Sequence, residues 1–262
     1  MRSICVMIAV LLMMVMITLV IPTSPVTLAQ QGKEALERPA LKQFDEDTAR
    51  SRRELRAYCI IVQELVAAQH PDTAKRDEAL KHLKAAQSQW AEICAKYQNS
   101  APQEYARDPY WKGRLVDIGI AIDDMVAHME AERFKRSFQA CGSGCGLFVA
   151  MHEENNLTYA LDRLFHLRKA IKTAQTLNKT SGLHGLREFV PDLLNLRNRA
   201  LLAQCPCSDA PDRCRKYGET LLALSGQMDW LARQVVRGEA EEATKSLSKL
   251  MELVQQVYDL AL

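Results

Sequence analysis

Beyond its first thirty residues the sequence has no second long apolar run, so no later segment reads as membrane-spanning. It also lacks the period-two alternation of half-buried strands, which argues against a β-rich fold. Net charge is scarce, at +2 over 262 residues. That excludes the broad basic surface on which general nucleic-acid binding rests. Complete catalytic motifs are missing too: no glycine-rich loop follows a strand, and there is no serine elbow. His152-Glu153 lacks the second histidine that a zinc-protease helix requires. Asp123-Asp124, Glu153-Glu154 and Glu241-Glu242 read as solvated helix faces rather than acid–base pairs.

What is present begins with an address. Ile4 to Ile21 is apolar apart from Thr18, and Arg2 is the one charge before it. The chain then turns small and polar, with Thr27 and Ala29 at the −3 and −1 positions of a cut before Gln30. A basic start, an apolar run and a small-residue site read as a secretory signal peptide over residues 1–29. The apolar run is also long enough, at roughly 18 residues, to stay as an anchor if uncut. Membrane insertion is expected only in that case. Cys5 lies at the start of the apolar run rather than after it and so does not suit lipoprotein processing. Export places the mature chain in the periplasm or outside the cell, where disulfides are the default fate of cysteine.

Seven cysteines follow the signal: Cys59, Cys94, Cys141, Cys145, Cys205, Cys207 and Cys214. An odd number leaves one thiol free, ligated, or paired between chains.

Three-and-four spacing of apolar residues runs through nearly all of the remaining chain. After a flexible segment, 30–44, a first helix is expected from Asp45 to Gln69 on Leu55, Cys59, Val62 and Leu65. His70-Pro71 stops it, and Asp72 caps a second helix that ends near Tyr97. Asp108-Pro109 starts a third, carrying Leu115, Ile118, Ile122 and Met125. A fourth begins near Arg133 and meets Cys141-Gly-Ser-Gly-Cys145-Gly146, where three glycines imply either a break or a close backbone approach. The second half repeats the plan over 157–177, 186–204, 211–236 and 239–261, with Pro191 marking the start of its second helix. The short Arg237-Gly238-Glu239 turn suits antiparallel neighbours. The expected fold is therefore all-α: two tandem antiparallel up-down four-helix bundles, 45–156 and 157–262.

Helix levels suggest cysteine pairings. Counting from the turns at 1.5 Å per residue puts Cys59 level with Cys145, so a Cys59–Cys145 bridge is expected. The same count separates Cys59 from Cys94 by roughly 15 Å. Cys214 bridged to Cys205 or Cys207 would staple the loop before the seventh helix; three cysteines there could instead hold zinc with a fourth ligand from elsewhere. His152 would lie roughly 10 Å along the helix from Cys145, too far to share one metal ion with it.

Two close cysteines and Phe148, late in a fourth helix, resemble the haem-attachment region of cytochrome c′-like proteins. That family folds as an antiparallel four-helix bundle and attaches haem through C-x-x-C-H. Here three residues separate Cys141 from Cys145, and Gly146 stands in the histidine's place. Leu253-Val254-Gln-Gln-Val257-Tyr258 resembles the same place in the second half with both cysteines replaced. The resemblance implies a haem-less relative: a non-enzymatic binding or interaction protein without cofactor, acting on a protein partner or as a homodimer. The alternatives are a periplasmic electron-transfer protein holding haem at Cys141 and Cys145, and a metal-binding or metal-sensing module.

Overall fold

A heptad stripe organises the first helix, and part of it is polar. Leu41, Phe44, Thr48, Ser51, Leu55, Tyr58, Val62 and Leu65 follow one another at alternating spacings of three and four, and all are buried. Thr48 and Ser51 satisfy their hydroxyls locally, on Asp45 O at 3.0 Å and on Ala86 O at 3.3 Å, so they can sit in that stripe. In the computed structural model, which describes residues 39–68, 72–206 and 210–262, α1 consequently runs Pro39–Ala67. The expected flexible segment 30–44 is thus corrected at its end: residues 39–44 are helical, because Leu41 and Phe44 enter the core. The signal segment 1–29, the His70-Pro71 turn and Cys207 lie outside the described residues.

The other helices are α2 Thr73–Tyr97, α3 Trp111–Glu130, α4 Phe134–Glu153, α5 Ala160–Leu201, α6 Pro211–Arg237 and α7 Ala240–Ala261; a 3-10 turn, Gln103–Tyr105, precedes α3. There is no strand among the described residues. Asp72 caps α2, its carboxylate accepting from Ala74 N at 2.8 Å and Lys75 N at 3.4 Å. Pro211 opens α6, where its missing N–H costs nothing. Gly238 ends α6 in the left-handed region, at φ 80°. Gly238→Ala should cost about 1 kcal/mol in thermal unfolding, because a Cβ is strained at that φ. No change in stability would mean that the turn relaxes freely.

The glycine-rich stretch of α4 is continuous helix, so its glycines mark a close approach rather than a break. A Cβ on Gly144 would stand 2.7 Å from the Met125 methyl of α3. The break falls in α5 instead. Gly182 has φ 60° and ψ −149°, backbone that is essentially closed to residues with a side chain. Pro191 therefore lies within the second part of α5, not at its start as expected.

The described residues belong to one compact unit, 35–262, with two apolar cores. In the first, α1 packs on α2, α2 on α3, α3 on α4 and α4 back on α1. Trp90 fills its middle, donating its indole N–H to Leu115 O at 2.9 Å and meeting Phe148 edge to face at 5.2 Å. Phe44, Tyr97, Tyr105 and Trp111 close one end. In the second core α5 packs on α6 and α7, and α6 on α7.

Candidate functional site

The cysteines that resemble a cofactor site separate in the structure. Cys59 pairs with Cys141, Cα to Cα 6.2 Å, and Cys145 is a free, half-buried thiol. This corrects the expected Cys59–Cys145 bridge, and helix ends explain it. Cys59 stands eight residues before the end of α1, and Cys141 seven after the start of α4. Cys145 is one turn, roughly 6 Å, further along. The Arg52 guanidinium over the Phe148 ring, at 5.2 Å, continues the same register. The expected level came from placing the first turn at His70, three residues beyond the helix end. Gly146, where the resemblance puts a histidine, faces Phe165 of α5: a Cβ there would be 3.9 Å from the ring.

Cys205 pairs with Cys214, Cα to Cα 6.2 Å, stapling the loop before α6 and resolving the choice between Cys205 and Cys207. Cys94 is a free thiol whose pKa burial raises. Among the described residues no three His, Cys, Asp or Glu side chains group as a metal site.

What the fold does bring together lies at the seam between the two cores, where α1 and the end of α4 meet the start of α5. His152 is buried and hydrogen-bonds through Nδ1 to Asp162 Oδ2 at 2.8 Å. Its ring lies 4.4 Å from that of Tyr159. The other Asp162 oxygen is 4.0 Å from Arg52 Nη2, and both of these buried atoms lack a hydrogen-bond partner. Alongside, Tyr159 donates to both oxygens of Asp45, at 3.1 and 3.0 Å. These pairs link residues up to 114 positions apart. No local sequence pattern reveals them, because the partners come from different helices.

Asp45 carries the electrostatic consequence. Burial pushes its carboxyl up to about 7, against the Tyr159 hydrogen bond and the Arg52 charge; Glu104 and Asp162 add to the rise. Burial likewise raises the Tyr159 and Tyr105 hydroxyls that face it. The raised value fixes the sign of the pH dependence. The unfolded carboxyl releases its proton near pH 4, whereas the folded one keeps it to about 7, so stability falls as pH rises through that window. Asp45→Asn mimics the protonated acid and should flatten the decline; urea titrations at pH 5 and pH 7.5 measure it. Equal slopes in the two proteins would remove Asp45 as the cause. Asp47 behaves oppositely. Burial raises its pKa, but Lys96, Tyr97 and Arg50 outweigh that and hold it near 2, so its contribution is present above pH 4 and lost toward pH 2.

Compared with family models, curated proteins and solved structures, the chain matches none.

Proposed function

We propose that the chain is an exported, non-enzymatic binding or interaction protein, built as two tandem antiparallel four-helix bundles on the plan of a haem-less cytochrome c′. The observation that carries this reading is the Cys59–Cys141 pair. It removes Cys141 from thioether chemistry, and a buried bridge suits an oxidising compartment. The ring of helix contacts around the first core is consistent with a bundle, and the Gly182 break divides α5 so that the second half also supplies four helical stretches. For binding, α6 offers Leu222, Trp230 and Val236 exposed on one side of the helix.

Intact mass with and without reduction, joined to an absorption spectrum, tests the whole proposal on protein isolated from the extracytoplasmic fraction. The expected result is a chain beginning at Gln30 that gains at least four hydrogens on reduction and shows no Soret band. A Soret band that survives denaturation would replace it with the haem reading. If the extracytoplasmic fraction held no product while the cytoplasmic fraction held the full-length chain with free thiols, export would be overturned.

A further inference from the structure

At the outer edge of the seam three cations gather, and among the described residues only Arg56 has an acid partner, Asp259. Arg168 and Lys172 stand one turn apart on α5, and Arg56 of α1 faces them. Like charges at this spacing repel. Burial lowers the Lys172 pKa, and the two guanidinium groups lower it further. Arg56 bonds Asp259 at 2.8 Å, an acid that also accepts from Gln255 at 2.9 Å. Among the described residues, neither Arg168 nor Lys172 makes an ion pair.

The ring of Tyr258 fixes the arrangement. The Arg168 guanidinium carbon lies 4.7 Å from its centroid, held by that π contact, and that of Arg56, which also bonds Asp259, lies 5.8 Å from it. Guanidinium held this way keeps its N–H groups available in its own plane. Tyr258 also faces Arg52, whose side chain is nine-tenths buried and whose Nη2 has no hydrogen-bond partner. The repulsion among Arg56, Arg168 and Lys172 is a cost that an anion would relieve.

We propose that Arg56 and Arg168 at the Tyr258 ring, with Lys172 one turn along α5 from Arg168, form a binding site for a phosphate-class anion. Multiply charged tetrahedral oxyanions fit better than halides, because two planar forks and an ammonium offer more donors than a monovalent ion can accept. Free phosphate and a phospholipid headgroup present the same chemistry. The site stands on charge geometry alone, so it is independent of whether the chain is exported or haem-less.

Thermal unfolding of the whole protein in sodium phosphate, against sodium chloride at equal ionic strength, is the test. Phosphate should raise Tm by several degrees over chloride, following the mass-action rule for a ligand of the native state. Arg168→Gln/Lys172→Gln should lose that difference while its Tm in chloride stays equal or rises, since like charges have been removed. Calorimetric titration with inorganic phosphate should show at least a tenfold loss of affinity in the same variant. Sedimentation with phosphatidylglycerol vesicles separates the sources. Binding competed by phosphate assigns a headgroup, and a phosphate response without vesicle binding assigns a free anion. Equal Tm in phosphate and chloride, or a phosphate response kept in the double variant, would overturn the site.

Discussion

Replacing Cys59 and Cys141 together by alanine should lower the free energy of unfolding by about 4 kcal/mol, which is the loop-entropy value for a bridge across 82 residues. The bridge ties α1 to α4, the first and last helices of the first core, so the loop it closes contains α2 and α3. Both alanines leave the bridge's buried volume partly unfilled, which adds a smaller packing loss. Denaturant titration of the variant under oxidising conditions, beside the reduced wild type, measures the effect. The reduced wild type should be the less stable of the two, because reduction also breaks the Cys205–Cys214 bridge. The Cys205–Cys214 bridge closes only nine residues and contributes less on the same entropy account. A loss below about 1 kcal/mol for the Cys59/Cys141 variant would mean that the unfolded chain is already confined around these helices.

Asp162→Ala should be comparably damaging, at about 3–5 kcal/mol, for an electrostatic reason. Asp162 is 1% exposed and holds His152 at 2.8 Å, while Arg52 approaches its second oxygen at 4.0 Å. Removing the carboxylate leaves the Arg52 cation inside the protein without its nearest acid and the histidine Nδ1 without its partner. Breaking one side of a buried pair costs more than the pair contributes, because the remaining charge keeps its desolvation penalty. Asp162→Asn preserves one acceptor for His152 and should lose distinctly less. Urea unfolding of the three proteins at pH 7 gives the ranking. If the Ala and Asn variants matched, loss of the carboxylate charge beside Arg52 would carry the effect and the hydrogen bond to His152 would not.

The two predictions sort the molecule by how its contacts were legible. α2, α6 and α7 were foreseen closely, because Asp72, Pro211 and Gly238 act within one helical turn and carry their meaning locally; α3 starts two residues after Pro109, which lies outside it. α1 was foreseen short. Thr48 and Ser51 interrupt its apolar count, and their acceptability depends on hydroxyl partners, one of them Ala86 O on another helix. The pairing of Cys59 turned on where α1 ends, and a three-residue difference there moves the match from Cys145 to Cys141.

The sequence by itself determined the helical class, the two-part plan of the chain and a cysteine content suited to bridges. Those follow from periodicity and composition, which act between near neighbours. Only the tertiary structure decided which cysteines meet, that the glycines of α4 serve a close approach to Met125, and that Gly182 divides α5. It alone brought Asp45 to Tyr159 and Asp162 to His152 and Arg52, and set Arg56 opposite Arg168 and Lys172. The physical reason is range. Hydrogen bonds and charges act over a few ångströms of space, and helices standing side by side supply that proximity to residues far apart along the chain.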